Sequence, residues 1–503
     1  MLVTLVLVVT AIVTAVYAYS RYRHNYWAAR GVPTAPNLLP LIGHFHTQFV
    51  VSKKKPRWLY TDEAYYHGGS WLCGTYDKFK PVLMIGDPDI VKAVLIKDFD
   101  HFVDRRKAVF ASKRDKIFSG ILTVLTGEQW KGVRSLLSPI FTSGKMKGLF
   151  RLVEQKADEL TAYIHREIKA NSKIKIRKAF GFYSLEVISS CAFGMETNTL
   201  ADGDSIFNQK VQAMSKISTG RVIKFLFFML FPKLFQALGV NLTVPETEFF
   251  KEVVEEAMRK RENQEHKRGD FLDLMMEARK DQNNPNAKPN KYTITDELVV
   301  SNAILFILAG FDTTANTLCF VAYMLALNPE EQQRLRQEVR DIIKDEGELT
   351  YQGLLGAKFL DAVINETLRL HPTAHFTERQ CTKDYTIPGT NVTLRAKDMV
   401  MIPVWSIHRD EKHWPEPEKF RPDRFLPENK DQIRSGTFLP FGLGPRNCIG
   451  MRFALMEAKL ALAKMVLNFE MSCEPGKEEI DMDSSIGLMR PSEECSLIFT
   501  PLE

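Results

Sequence analysis

From Leu298 to Phe311 the chain runs fourteen residues without a charge, and its helical pattern continues to Pro329. A helix apolar on every side cannot face water, so the rest of the chain must wrap around it. That requirement predicts a large, mostly helical body with one long helix through its middle. At 503 residues there is ample chain to enclose such a helix. With 45% hydrophobic and 25% charged residues, wholesale disorder is excluded.

The apolar run is interrupted by Ala309-Gly310-Phe311-Asp312-Thr313-Thr314. An ionisable Asp and two hydroxyls inside a buried helix are costly unless satisfied, and glycine there loosens the backbone ladder. Two readings stay open at this point. The threonines bond back to their own helix while Asp312 caps something nearby, or an acid–alcohol pair on a kink delivers protons.

Met1 to Ser20 holds no charged side chain, while Arg21, Arg23 and Arg30 follow it. As a helix this span would rise roughly 30 Å, about one hydrocarbon thickness. A cleaved signal peptide would place its basic residues before the apolar stretch, so an uncleaved anchor over 1–20 with a cytosolic body is predicted. Pro33, Pro36 and Pro40 make 21–44 read as a basic, proline-rich hinge, and 45–503 reads as one large, mostly helical domain without repeats. Within it, Lys80 to Ile85 reads as a strand, Gly86-Asp87-Pro88 as a turn and Ile90 to Ile96 as a helix. Glu330 to Ile343 reads as a helix with Leu335, Val339, Ile342 and Ile343 on one stripe, and Asp281 to Asn290 as a loop. Sequons at Asn241, Asn365 and Asn391 would go unused in a cytosolic body.

Lysine plus arginine minus aspartate plus glutamate is 67 − 61 = +6, too mild to argue for a nucleic-acid partner. The seven cysteines include no Cys-x-x-Cys pair and no Cys-x-x-Cys-His. Zinc ribbons, thioredoxin chemistry, covalent c-type haem attachment and a disulfide framework all lose support.

Cys448 stands apart, in Phe441-Gly442-Leu443-Gly444-Pro445-Arg446-Asn447-Cys448-Ile449-Gly450. Gly442-x-Gly444 mimics a dinucleotide fingerprint, but Asn447 occupies the third glycine position and no suitable strand–helix–strand unit surrounds it. The loop instead places a sulfur at the start of an amphipathic helix, Met451 to Leu467, where the dipole favours thiolate. Such a thiolate is a nucleophile or an axial metal ligand. A nucleophile wants a His base that the local sequence lacks, whereas haem iron wants an anionic sulfur and a cation such as Arg446 for a propionate. Elsewhere, Glu366 and Arg369 lie three apart on a helix ended by His371-Pro372. On a surface that pair would be worth little. Val363, Ile364, Leu368 and Leu370 argue for burial, where a second cation would be welcome.

Phe441 to Gly450 resembles the cysteine-loop signature of the cytochrome P450 superfamily, Phe-x-x-Gly-x-Arg-x-Cys-x-Gly, at every position. Trp130-Lys131-Gly132-Val133-Arg134 resembles the family's Trp-x-x-x-Arg motif, and Ala309 to Thr314 its oxygen-activation motif. Glu366 and Arg369 match Glu-x-x-Arg, and Pro422 to Phe425 resembles Pro-Glu-Arg-Phe with Asp423 in place of Glu. Finer likeness in Ser135 to Lys145 and Phe441 to Leu455 is to the microsomal clan of vertebrate family-three drug-metabolising and arthropod detoxification enzymes.

The resemblance implies a mainly α fold, a single large helical haem domain with a small β-rich subregion behind an N-terminal transmembrane anchor. It implies haem b with Cys448 as axial thiolate, and Arg446, Arg134, Arg379, Arg105, Trp130 and Phe441 as cofactor-binding residues. Thr313 becomes the oxygen-activating hydroxyl and Asp312 its proton source through water, while Glu366, Arg369 and Arg424 form a structural network. Electrons would come from NADPH through NADPH–cytochrome P450 reductase, with cytochrome b5 as a second partner. Lys131, Lys145, Lys147 and Arg452 would meet the acidic reductase. The enzyme would sit in the endoplasmic reticulum membrane, facing the cytosol. Phe306, Leu308, Ala309, Ala374 and His375 would line a pocket for a lipophilic xenobiotic, steroid or fatty-acid-like substrate. Phe225 to Phe231 would roof it and dip into the bilayer. Thr313 favours monooxygenation over a haem-thiolate isomerase needing no reductase. The acid–alcohol pair disfavours a carrier or sensor without turnover.

Overall fold

The apolar run forms one helix, Asp296–Leu327, of 32 residues. Thr295 caps it, its hydroxyl accepting the Leu298 N–H at 3.2 Å, and Pro329 opens the next helix, Pro329–Glu346. The central helix is sheathed by the helices Ile176–Phe193, Met451–Asn468 and Lys358–Leu370. Of its two buried amides, Asn302 is fully used: it accepts the Leu122 N–H at 2.9 Å and donates to Gly120 and Leu298 carbonyls at 3.0 and 2.9 Å. A buried polar group so satisfied costs little. Both amide atoms of Asn316, in contrast, are buried without a partner among the described residues. The computed structural model describes residues 1–48, 56–106, 116–171, 173–203, 205–215, 219–238, 244–262, 268–281, 294–483 and 488–502. The expected loop from Asp281 lies, after that residue, outside the described residues, as does the sequon at Asn241.

A four-stranded sheet forms the minor β region. Leu72–Asp77 pairs antiparallel with Lys80–Ile85, which runs parallel to Met399–Ile402, which in turn pairs antiparallel with Thr377–Gln380. The strand at Lys80–Ile85 is as expected. Asp87 then caps the helix Pro88–Lys92 by accepting the N–H groups of Asp89 and Ile90. The expected helix to Ile96 continues as a wider π turn, Ala93–Lys97.

Two cores result. The larger surrounds the central helix; the smaller lies on the sheet and includes Trp27, Val32 and Ala35. The stretch 21–44, expected as a hinge, is thus docked from Trp27 onward. Trp27 donates from Nε1 to Thr75 O at 3.0 Å, and Gly74 exchanges bonds with Pro33 O and Ala35 N. Gly74 permits this, since a Cβ there would stand 2.3 Å from the Trp27 ring. The proline-rich segment therefore clamps the sheet.

Among the described residues, two helices are long and apolar enough to cross a membrane. The central helix is largely covered by protein, whereas Leu2–Arg23 is exposed except at Ser20. In the expected roof, Thr219–Leu230 and Pro232–Ala237 form two short helices. Phe228 and Phe235 pack edge-on and are buried, while Ile223, Phe231 and Leu234 are exposed.

Candidate active site

Beneath the middle of the central helix lies a cavity of about 420 Å³. Its ceiling is one face of that helix: Leu305, Phe306, Ala309 and Thr313. At 3.6 residues per turn these share a side, and Leu308 and Asp312 fall off it. Leu308, expected in the lining, therefore packs against the larger core instead. Ala374 does line the cavity, but His375 turns away and sets its ring against Trp58 and Phe376. Ile364, Leu368 and Val404 complete the apolar wall; sequence reasoning missed them because they come from other elements. Among the described residues, none of the segment 219–238 reaches the lining.

The opposite side is the cysteine loop. Its turns close through the Gly442 N–H to Leu439 O, the Asn447 N–H to Gly444 O and the Cys448 N–H to Phe441 O, at 3.0, 3.0 and 2.8 Å. Gly444 has φ +74°, and a Cβ there would meet Leu95 O at 1.8 Å, so this position needs glycine on both counts. Arg134 grips the loop from the helix Gly127–Leu137, donating to Asn447 O and Oδ1, both at 2.9 Å. Cys448 thus opens onto the cavity just before the helix Met451–Asn468. Burial pushes its thiol up, against the Gly450 N–H and the charges of Arg134 and Arg105. The helix start and the two arginines thus act against burial at this sulfur.

The cavity wall is strongly cationic. Arg105, Arg134 and Arg446 line it, and no Asp or Glu does so among the described residues. Arg379 stands just behind, fully buried and donating to Thr377 Oγ1 and Glu378 O. The nearby carboxylates of Asp77 and Glu378 are taken by Arg106. Arg446 donates to Leu125 O at 2.5 Å and lies 4.4 Å from the Trp130 ring centre. Burial and the neighbouring Arg105 pull it down to about 9, while burial, Arg105 and Arg446 hold Arg379 well below its usual range. The Nε atoms of Arg105, Arg379 and Arg446 are buried without a hydrogen-bond partner. Buried cations left unpaired cost several kcal/mol each, so this wall is built for an anion. The paired propionates of a haem would satisfy that requirement, and Cys448 offers a sulfur to its iron.

Thr313 lines the cavity while its hydroxyl donates to Ala309 O at 2.6 Å. Asp312 faces outward, its carboxylate 3.7 Å from Arg177 of the helix Ile176–Phe193. Thr313 therefore bonds back to its own helix and Asp312 pairs with Arg177, a geometry that leaves both readings of this motif open. Next along, Thr314 also lines the cavity and lies beside Glu457, a fully buried acid that sequence reasoning missed. Burial holds the Glu457 carboxyl well above its usual range, despite the hydroxyls of Ser184 and Thr314. An amphipathic reading of its helix would place Glu457 in solvent, and no local signal marks it as buried.

Glu366 and Arg369 are both inaccessible to solvent and paired at 2.8 Å. Arg424 reaches Glu366 at 3.3 Å, so the expected three-residue network is assembled.

The family profile described as Cytochrome P450 matches residues 33–499. The chain is 37% identical over 485 residues to cytochrome P450 3A9 of Rattus norvegicus, covering 95% of this chain and 92% of the relative. It is 36% identical to cytochrome P450 3A5 of Homo sapiens, covering 95% and 92%, and 36% identical to cytochrome P450 6k1 of Blattella germanica, covering 93% and 90%. Those relatives span the vertebrate and arthropod branches that the motifs resemble. The chain belongs to the cytochrome P450 family and is a cytochrome P450 monooxygenase.

Proposed function

We propose that the enzyme inserts one atom of O₂ into a lipophilic substrate, drawing NADPH electrons from a separate flavin reductase at the endoplasmic reticulum membrane. The observation that carries this reading is one cavity bounded by the Cys448 thiol, the Thr313 hydroxyl and the guanidinium groups of Arg105 and Arg446, whose Nε atoms are partnerless, with Arg379 close behind. Haem, when bound, supplies the one-electron and oxygen chemistry. The chain supplies the rest.

Cys448 would hold the iron through its sulfur, and Arg105, Arg379 and Arg446 would hold the propionates, with Trp130 stacked behind Arg446. Arg134 acts differently from the others: both of its hydrogen bonds go to Asn447, so it positions the cysteine loop. Thr313, with its own proton committed to Ala309 O, presents an acceptor oxygen to the cavity and can hold a proton donor there. Asp312 draws protons from the Arg177 side and passes them inward only when that pair loosens. Apolar Phe306, Ile364 and Leu368 exclude water and favour an apolar substrate.

Leu2–Arg23 anchors the enzyme with its basic end toward the cytosol, and the exposed Ile223, Phe231 and Leu234 rest on the same bilayer. Lys131, Lys145, Lys147 and Arg452 meet the acidic reductase or cytochrome b5. Reconstitution with reductase, NADPH and a lipophilic panel tests the whole reading. Hydroxylated product that requires both NADPH and reductase is expected, and turnover without either would overturn it. Cys448→Ala should abolish the red-shifted ferrous–CO band while leaving the fold intact.

A further inference from the structure

A second cavity, of about 240 Å³, lies on the far side of Phe306 and takes no part in the reaction proposed above. Its interior is apolar: Phe141, Ile188, Phe271 and Phe453 form the walls, and the last three are buried. Its rim is exposed and basic, made by Lys145 and Arg268. Among the described residues Asp270 is the single acid in the lining, and Arg261 already holds both of its oxygens at 2.6 and 2.7 Å. Lys145 donates to Gly269 O at 3.2 Å and Arg268 to Gly194 O at 3.0 Å. An ammonium has three donors and a guanidinium five, so both cations keep N–H groups for a ligand.

An apolar interior closed by a cationic mouth fits a molecule with an apolar tail and an anionic head. A dry cavity of about 150 Å³ already admits benzene, so this larger one takes a medium-length alkyl chain. We propose that the cleft is a second ligand site for a medium-chain carboxylate, its tail among the phenylalanines and its head at Lys145 and Arg268. The site does not depend on the oxygen chemistry assigned to the main cavity.

Phe306 lines both cavities. Its ring stacks on Phe141 at 5.8 Å between centres and meets Phe271 at 4.4 Å. A tail pressed against those two rings moves Phe306, and the main cavity feels it. Linkage makes the effect reciprocal, so a ligand in either cavity changes the affinity of the other.

Decanoate and decan-1-ol are the probes, titrated calorimetrically into the full-length holoprotein in bilayer discs, with empty discs subtracted. A saturating haem-coordinating azole blocks the main cavity. One saturable decanoate site is expected to survive the azole, with decanol binding about tenfold more weakly. Arg268→Glu should weaken decanoate by a similar factor. Gly148→Trp should abolish binding, because Gly148 lies on the lining with open space where a Cβ would point. No saturable decanoate binding under the azole, equal binding of the alcohol, or indifference to Arg268→Glu overturns the site. Arg268→Glu decides if Gly148→Trp fails to fold, as circular dichroism would reveal. Coupling is read separately. Decanoate should change the azole dissociation constant of the native protein and not that of Arg268→Glu at the same concentration. An unchanged constant in the native protein overturns the link through Phe306.

Discussion

Arg369 grips Glu366 through two parallel bonds, Nε to Oε2 and Nη2 to Oε1, each 2.8 Å long and sealed from solvent. Its remaining donor, Nη1, reaches His408 O and Pro417 O at 2.9 and 2.7 Å, tying the helix Lys358–Leu370 to the segment leading to the cysteine loop. Arg369→Lys keeps the charge but loses the fork, and Arg369→Ala leaves the buried Glu366 with the Arg421 N–H and, among the described residues, Arg424 as its one charged partner. Breaking a buried pair from one side costs about 3–5 kcal/mol. Arg369→Ala should lower the unfolding midpoint sharply and the haem-to-protein ratio with it, with Arg369→Lys in between. Wild-type haem content in Arg369→Ala would refute a structural role.

His408 carries that network onward. Its Nδ1 lies 3.1 Å from Arg369 O, and its Nε2 lies 2.8 Å from the Leu439 N, at the entry to the cysteine loop. Nε2 must accept from that N–H, so the proton sits on Nδ1 and the ring is neutral. Burial, then Arg369, drives His408 down to about 3. A depressed folded pKa means stability that is present above the unfolded value, about 6.5, and lost as pH falls toward the folded value. Between those limits His408 should add up to about 1.4 kcal/mol per pH unit to the slope of unfolding free energy. His408→Gln should flatten that slope in chemical denaturation curves.

Legibility in the sequence followed the range of the interactions. Cys448, Glu366 and Arg369 were readable because each combines a reactive or charged group with a fixed spacing on one element. Asn447 and His408 were not, since their partners Arg134 and Arg369 lie 313 and 39 residues away. The central helix was plain from its uncharged run, but which face it turns to the cavity depends on neighbours. Hence Leu308, His375 and Asp312 were expected at the site and face elsewhere. The docking of the proline-rich hinge was not legible because Gly74, which admits Trp27, lies on a strand far down the chain.

Two glycines of the cysteine loop should differ in their tolerance of a methyl group. Both have positive φ, +72° at Gly442 and +74° at Gly444. A Cβ on Gly442 would make an ordinary 3.7 Å contact with Asn447, whereas one on Gly444 would collide with Leu95 O at 1.8 Å. Gly442→Ala should cost only the left-handed strain, about 1–2 kcal/mol, and retain haem. Gly444→Ala must displace the loop, so its haem incorporation should fall severalfold. Equal haem content in the two variants would contradict the close packing at Leu95.

Glu457 should give a pH dependence of the opposite sign to that of His408. Burial, the first of its influences, raises its pKa well above the usual range, so it is neutral when folded. Above the unfolded value, about 4.3, the unfolded chain ionises while the folded chain does not, and stability falls as pH rises toward the folded pKa. Glu457→Gln keeps the shape without the proton equilibrium. It should remove that decline and leave the protein more stable near neutral pH, read as a higher denaturant midpoint. A lower midpoint at neutral pH would mean that the carboxylate is charged and paired.

The oxygen-handling step should separate Thr313 from Asp312. Thr313 is on the cavity wall, so Thr313→Ala removes a group that any bound oxygen species would touch. Product per NADPH should fall steeply while NADPH consumption continues, and general acid–base contributions of this kind reach roughly 10²-fold or more. Asp312 is held 3.7 Å from Arg177 and outside the lining, so in the proposed reaction it would act by supply and not by contact. Asp312→Asn should therefore slow turnover and enlarge the solvent isotope effect without the same loss of coupling. Arg177→Gln leaves the acid in place and frees it from its partner, so proton supply should speed up and the isotope effect should shrink. If Arg177→Gln and Asp312→Asn shift the isotope effect in the same direction, the pair serves the fold and protons arrive by another route.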